Sequence, residues 1–395
     1  MLQMNHARTN LRSAVVGLLP AFLVCVPARG ADGATSAGEQ LQLRNETAIH
    51  YMRPEPHLKL ARYHYDLGNK VQAFYIAEYA RQMFGDDEFT PVFAKVAAIK
   101  LRESPAFKSE AKLNKYCKAH PDSVEAQLQA LEQDLRLPAP GTDGAAQALE
   151  KLLAKHPQEL APKSVAAKYY LKVRSDEDRA LDLYIDLYFY DPHYYDWEYA
   201  EFRVKQITAG RKAAWWAARQ QSGVPLSQLV AAEKNPRVLD VAIDQARAKW
   251  DATLVPAMLA MLGNDDPTVQ THALHALLDH SGDITDLNVI RLMLKGDDLV
   301  ERAMAAFLVM KCLGPAEFRL LDENLASGIE LVQIDTMEAL GMAGGPKGLE
   351  YLKTHPPAKA TKEIMDFWRH QISSKGNPGE KDRPAGDGQP SGSSE

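Results

Sequence analysis

Small and apolar residues recur in the first half of the chain with a period of about 36 residues. Helix-breaking residues mark the end of each period and are spaced by 36, 36 and 35, at Gly85, Pro121, Pro157 and Pro192. Twelve residues before each marker stands a small residue, and eight residues before it stands an apolar or aromatic one. A small residue lets a neighbouring helix approach closely, and the breaker ends the helix. The pattern predicts one pair of helices for each period.

A second, shorter period follows in the second half of the chain. Its marker valines are spaced by 31, 31 and 32 residues, at Val238, Val269, Val300 and Val332. Leucines recur in step with them, at Leu262, Leu294 and Leu325. Acidic pairs stand before two of the valines, where they are typical of helix starts. Each period therefore predicts two short helices, whose apolar stripes can be buried only against neighbouring repeats.

An aromatic-rich segment, residues 184–216, lies between the two periods, and we call it the aromatic joint. Its candidate contact residues are Tyr188, Tyr190, Tyr194, Tyr195, Trp197, Trp215 and Trp216. One interpretation is that these rings are buried and hold the two arrays together. The other is that they form an exposed platform that stacks on sugars or grips a peptide, with Asp191 and Glu198 nearby. The sequence favours burial and leaves a mixed arrangement open.

Together, the two periods predict an all-α protein, an α-solenoid of stacked helix pairs without β-sheet between about residues 46 and 372. The expected divisions are a signal peptide at 1–30, a flexible linker at 31–47, a first helical array at 48–195, aromatic-rich connecting helices at 196–230, a second array with a capping helix at 231–372 and a disordered tail at 373–395.

The first array resembles the tetratricopeptide repeat family over roughly residues 49–195. The copy that carries the resemblance best contains Leu60-Ala61, the turn Leu67-Gly68-Asn69, and then Ala73, Ala77 and Ala80. Tyr116, Leu152 and Leu187 stand where the family prefers alanine. The resemblance implies a concave groove lined by the first helix of each pair.

Carried over onto this sequence, the resemblance implies six groove residues: Arg62, Tyr65 and Asp66 in the first copy, Arg102 in the second, and Tyr169 and Lys172 in the fourth. A groove of cationic and aromatic side chains would suit an extended peptide with acidic groups, including a terminal carboxylate. The alternative is that these residues only form solvated helix faces.

The second array resembles the short HEAT-like repeat family over about residues 231–353. The residue after each marker valine departs from the arginine usual in that family, and Leu239, Gln270, Glu301 and Gln333 stand there. Such arrays bind very diverse proteins and peptides, so the resemblance indicates a role in binding without identifying the partner.

The beginning of the chain has the pattern of a secretory signal peptide. Arg8 and Arg12 precede the apolar stretch Ala14–Val26, and Ala28-Arg29-Gly30 offers a small-residue cleavage site. We expect a mature start near Ala31 and a location in the periplasm or cell envelope. Removing residues 1–30 takes away three arginines and no acids, so the net charge falls from −6 to −9. That charge argues against a general nucleic-acid binder.

Candidate catalytic and metal-binding residues are sparse. Three histidines on one stretch, His272, His275 and His280, could hold a metal ion but lack further ligands, so no metal or cofactor is expected. Cys117 and Cys312 are expected to be free thiols. The acidic pairs fit helix starts better than paired hydrolytic carboxylates. No catalytic motif of a known class is present, and the chain is not expected to be an enzyme.

The functional hypothesis is therefore an exported, non-enzymatic scaffold that binds a protein or peptide in the cell envelope. An alternative is a glycan- or peptidoglycan-binding accessory protein that uses the aromatic joint, and a third is a polysaccharide-active helical enzyme. A packed joint would favour the scaffold, an open aromatic shelf the glycan binder, and a cleft with paired acids the enzyme.

Overall fold

The computed structural model describes residues 33–100, 109–135, 142–190, 197–220, 223–233, 235–264 and 266–358. These residues form 19 α-helices and no β-strand, which confirms the all-α prediction. Four predicted features lie outside the described residues, namely the signal peptide, Arg102, the pair Tyr194 and Tyr195, and the capping helix with the tail behind it.

Four helix pairs form the first array, and they follow the 36-residue period. The pairs are α2 (Pro54–Asp66) with α3 (Lys70–Phe84), α4 (Asp86–Val96) with α5 (Glu110–Ala119), α6 (Val124–Leu135) with α7 (Thr142–Lys155), and α8 (Leu160–Tyr169) with α9 (Glu177–Tyr188). Gly68 makes the tight turn of the first pair at φ 81°. A side chain is strained in that conformation, so the glycine is required there.

The second array follows the 31-residue period. After the connecting helices α10 (Trp197–Gln220) and α11 (Leu226–Ala232), its members are α12 (Pro236–Ala248), α13 (Val255–Met261), α14 (Pro267–Asp279), α15 (Leu287–Met293), α16 (Leu299–Leu308), α17 (Asp322–Ala326), α18 (Glu330–Glu338) and α19 (Gly345–Thr354). The marker valines are buried. Asp266 and Asp298 cap the amino ends of α14 and α16, as the acidic pairs predicted.

The first described helix corrects one prediction. Residues 31–47 were expected to form a flexible linker, but Gly33–Ile49 is a helix, α1, that packs on the second array. Its Arg44 forms an ion pair with Asp298, and the side chains of the two residues are only 3% and 11% exposed. The Asn45 amide donates to Asp297 O at 3.0 Å, and Asn45 Oδ1 accepts from Leu299 N at 3.2 Å. These partners lie about 250 residues away, so composition alone did not reveal them.

The packing of α1 joins the two ends of the described chain. Successive contacts run from α1 through α2, α3, α9, α10, α12, α14, α16 and α18, and both α16 and α18 contact α1 again. Helix α3 is buried on most of its surface. The Tyr75 hydroxyl on α3 lies 2.5 Å from Thr208 Oγ1 on α10, and the ring of Tyr75 lies 4.1 Å from the Arg237 guanidinium on α12. The helices therefore form a closed circuit of contacts, of which α3 is a member.

Within the described residues, no helix combines the length and the apolar character that crossing a membrane requires.

Candidate functional site

Most described rings of the aromatic joint are buried. Tyr188, Tyr190, Trp197 and Trp216 are all at most 7% exposed. Trp197 stacks on Tyr188 with 5.3 Å between ring centroids, and its Nε1 donates to Tyr188 O at 2.7 Å. These rings therefore do not form an exposed shelf.

The buried rings connect α9 and α10 to the beginning of the first array. Tyr188 lies edge-on to Phe74 of α3 at 4.7 Å and to Phe93 of α4 at 5.6 Å. The Arg81 guanidinium lies 5.0 Å from the ring centroid of Trp197. Large aromatic surfaces in such edge-to-face and stacked contacts stabilise the packing of neighbouring helices. The arrangement agrees with the interpretation in which the rings are buried, and it attaches α10 to the first array.

Trp215 differs from Tyr188, Tyr190, Trp197 and Trp216, the other described candidate contact residues, because it is only partly buried and lines an open cleft. The cleft has a volume of about 530 Å³ and lies where the amino ends of α3, α9 and α12 meet the carboxyl end of α10. We call it the Trp215 cleft. Its polar and charged lining residues are Asp176, Asp178, Arg179, Asp182, Arg219 and Asn235, and its apolar lining residues besides Trp215 are Val71 and Leu181.

The arginines of the cleft are already engaged with acids around its rim. Arg179 binds Glu150 through two nitrogens, at 3.0 and 2.8 Å. Arg219 Nε donates to Glu233 at 2.7 Å. These pairs leave the cleft without a guanidinium that is free for an anionic ligand.

One face of Trp215 is covered by a neighbouring arginine. The Arg211 guanidinium lies 5.0 Å from the Trp215 ring centroid, and it forms ion pairs with Glu177 and Asp178. Arg211 is not among the residues that line the cleft. The ring is thereby held in place while part of it borders the cleft.

The three carboxylates of the cleft have different surroundings. Asp176 caps α9 by accepting from Arg179 N, and Asp178 is paired with Arg211. Asp182 stands in the second turn of α9, is exposed, and makes no hydrogen bond or ion pair within the described structure. The charge of Asp182 affects Arg179 electrostatically, without a direct bond between the two side chains. Asp182 is therefore the cleft acid that remains available to a ligand.

Three of the residues predicted for the concave groove lie together on α2. Arg62 Nε donates to Asp66 at 2.9 Å, and its Nη1 donates to Ala97 O at 3.1 Å. The Tyr65 hydroxyl donates to Asp186 at 2.7 Å. These side chains hold α2 against α4 and α9, so their polar groups already have partners.

Asp186 is the centre of this polar network. Lys70 and Lys163 each place an ammonium nitrogen 2.7 Å from one of its carboxylate oxygens. Burial raises the pKa of Asp186, but the two lysines lower it by more, so the pKa lies below its usual range. The network connects α3, α8 and α9, and its role is structural.

The remaining groove residues do not join this group. Tyr169 is 2% exposed and packs edge-on to Tyr170, which removes it from any solvent-facing groove. Lys172 is exposed in the π-helical turn Tyr170–Arg174 after α8. The helical pattern placed Tyr169 on a face that the structure turns into the core.

A second cluster of charges lies between α12 and α14, and of its members the sequence singled out only His272 and the helix-start acid Asp266. Arg237 bridges Asp240 and Asp266, at 2.7 Å from each. His272 Nδ1 lies 3.8 Å from Asp240 and 3.7 Å from Asp244. Burial raises the pKa of Asp240 to about 7, against the opposing effect of Arg237. Burial also lowers the pKa of His272.

One of the candidate histidines and both cysteines have defined surroundings in the structure. His280 stacks on Trp250, with ring centroids 4.2 Å apart. No group of three His, Cys, Asp or Glu side chains in the described part of the chain could hold a metal ion. Cys117 and Cys312 are free; Cys117 is buried and Cys312 half-buried.

No family model, curated protein or solved structure matches this chain. The fold and the geometry of the Trp215 cleft are therefore the basis for proposing a function.

Proposed function

We propose that this chain is an exported, non-enzymatic binding scaffold whose partner is a protein or peptide of the cell envelope. In this proposal the two arrays are tetratricopeptide-like and HEAT-like, and the partner is held at the Trp215 cleft. The observation that carries the proposal is the position of this cleft. A partly exposed tryptophan borders it where four helix ends meet on a closed circuit of packed helices.

Preorganisation of the Trp215 cleft favours binding. Trp215 is packed on the core and covered on one face by Arg211, and the surrounding arginines are fixed by ion pairs. A rigid aromatic anchor in a concave site loses little side-chain entropy on binding, and such anchors often dominate interface energies. The buried joint supports the same proposal, since it stiffens the helices that carry the cleft.

The glycan-binding alternative is favoured by one observation, the partly exposed Trp215 ring beside carboxylates. This alternative also requires an extended aromatic shelf, to which Tyr188, Tyr190 and Trp197 cannot contribute because they are buried. The enzyme alternative requires a pair of acids that is free to act on a substrate. Of the three cleft acids, Asp176 caps a helix and Asp178 is ion-paired.

The test is partner capture by the mature chain. The chain would be purified from the envelope fraction, where amino-terminal sequencing should give a start near Ala31, and used as bait for envelope extract. Trp215→Ala should weaken capture by about thirtyfold or more, since truncating an anchor residue costs 2 kcal/mol or more.

The matched control is Phe202→Ala on the same helix. Phe202 is 57% exposed and lies outside the cleft, so this variant should capture the partner as well as the parent chain does. Thermal melting of both variants checks that the fold is retained. Equal capture by Trp215→Ala and the parent chain would refute the cleft as the binding site. The surface around Arg62 and Tyr65 would then be tested with Arg62→Ala. Recovery of the uncleaved chain in the cytosol would refute export.

A further inference from the structure

The lining of the Trp215 cleft combines apolar side chains with more negative than positive charges. Val71 and Leu181 provide aliphatic surface beside the Trp215 ring. Two guanidiniums and three carboxylates belong to the lining, a net charge of −1, from Arg179 and Arg219 and from Asp176, Asp178 and Asp182. Outside the lining, Arg179 pairs with Glu150, Arg219 with Glu233, and Arg211 with Glu177 and Asp178. Each of the three arginines has an acid as its partner.

Most of these acids have a structural reason to be present. Asp176, Glu177 and Asp178 occupy the amino end of α9, where carboxylates complement the partial positive charge of the helix. Glu150 and Glu233 neutralise Arg179 and Arg219. Asp182 is the exception, because it lies beyond the first turn of α9 and has no bonded partner within the described residues. Its exposed carboxylate points to an external cation.

We propose that the Trp215 cleft binds an arginine side chain presented by the protein or peptide partner. The aliphatic stem of that arginine would lie on Val71 and Leu181. Its guanidinium would contact the part of the Trp215 ring that borders the cleft and pair with Asp182. A planar guanidinium can stack on an aromatic ring and bind a carboxylate through two parallel bonds, whereas an ammonium acts as a compact point charge. Arginine should therefore bind better than lysine.

This inference depends on the proposed function, since it names the group that the scaffold recognises. It also reverses an expectation from the sequence, in which cationic groove residues predicted an acidic peptide. The reversal has a structural cause. Of the cationic groove residues that the sequence predicted, Arg62 is paired with Asp66, and Lys172 is exposed but does not line the cleft, where the unpaired charge, that of Asp182, is negative.

The experiment follows the indole N–H signal of Trp215 in the mature chain labelled with ¹⁵N-tryptophan. Trp215→Phe identifies the signal by its loss. The probes are the peptides acetyl-Gly-Gly-Xaa-Gly-Gly-amide with arginine, lysine, citrulline or glutamate at Xaa. The arginine peptide should shift the Trp215 signal saturably, and lysine should do so more weakly. Citrulline, which keeps the shape of arginine without its charge, should bind at least about tenfold more weakly than arginine.

Two variants test the role of Asp182. Asp182→Asn should weaken the arginine peptide by about tenfold and leave thermal melting unchanged, because Asp182 makes no bond within the fold. Asp122→Asn also removes an exposed charge, from the turn between α5 and α6, and it should leave binding unchanged. Higher salt should weaken the arginine peptide more than the citrulline peptide.

The outcomes separate this inference from the proposed function. If arginine and citrulline bind equally, or if soluble peptidoglycan fragments shift Trp215 while the arginine peptide does not, the arginine inference is overturned. If partner capture is lost in Trp215→Ala but kept in Asp182→Asn, the scaffold proposal stands and the arginine inference fails. If capture is kept in both variants, the cleft is not the binding site and both proposals fail.

Discussion

Asp240 is a buried carboxylic acid that shares a single guanidinium with a second acid. Its side chain is 6% exposed, and Arg237 lies between it and Asp266. Arg237 also packs on the Tyr75 ring, so the guanidinium cannot move toward one acid without losing other contacts. Burial of Asp240 outweighs its attraction to Arg237, which explains why its pKa rises to about 7.

Asp240 should make the stability of the protein fall between acidic and neutral pH. In the unfolded chain its pKa is about 3.9, so from about pH 4 to pH 7 the folded state binds more protons. The free energy of unfolding then decreases as pH rises, and this contribution is lost above the folded pKa. As pH rises from 5 to 8, the free energy of unfolding of Asp240→Asn should increase by on the order of 2–3 kcal/mol relative to that of the parent chain.

Urea unfolding of both chains across this pH range measures the difference. Asp279→Asn is the control, because it also removes an acid beside an arginine, but from an exposed pair with Arg247. Its stability should follow that of the parent chain at every pH. Parallel curves for Asp240→Asn and the parent chain would contradict the buried-acid explanation.

The sequence predicted the role of a residue where that role depends on neighbouring residues in the chain. Asp266 and Asp298 were expected at helix starts, and both accept from backbone N–H groups there. The raised pKa of Asp240 was not predictable, because it depends on burial and on Asp266, which belongs to the next repeat. Trp215 was included in the aromatic joint, but nothing in the sequence separated it from the buried Trp216.

At the scale of elements, the last described helix pair depends on a glycine. Gly348 of α19 lies against the π-helical turn Ala339–Ala343, and an added Cβ would stand 2.0 Å from Leu340 O. The three atoms nearest to that Cβ, Leu340 O, C and Cα, all belong to the backbone, so the two backbones would have to separate. The glycine is therefore needed for close approach rather than for an unusual backbone conformation.

Glycine-to-alanine substitutions at two positions should have opposite effects on the stability of the protein. Gly348→Ala should destabilise the protein by at least about 2 kcal/mol, because it forces two packed backbones apart. Gly210→Ala, in the exposed interior of α10 with no atom near its Cβ, should stabilise it by about 0.5–1 kcal/mol. Urea unfolding measures both values. A neutral Gly348→Ala would show that α19 does not pack this closely.

At the scale of the whole molecule, α1 closes the circuit of helices. Arg44 and Asp298 form a largely buried pair, and breaking such a pair leaves a charge without its partner. We expect Arg44→Ala to destabilise the protein by about 3 kcal/mol. We also expect faster amide hydrogen exchange in α16, although α16 lies about 250 residues away in the sequence.

Arg247→Ala is the comparison for this variant. It breaks the pair with Asp279, in which both side chains are more than 40% exposed, and should cost no more than about 1 kcal/mol. If Arg44→Ala has an equally small effect and exchange in α16 does not change, α1 is not docked as described. Residues 33–47 would then behave as part of the linker that the sequence predicted at residues 31–47.

The sequence by itself determined the helical class, the two repeat periods, the breaks between helix pairs and several capping residues. These features depend on residues within one or two turns of each other, so a local pattern records them. Only the tertiary structure decided that α1 docks on α16 and α18, that Tyr169 is buried, and that Trp215 lines a cleft. Each of these depends on contacts between helices far apart in the sequence, and a periodic pattern shows which face of a helix is apolar but not which helix will cover it.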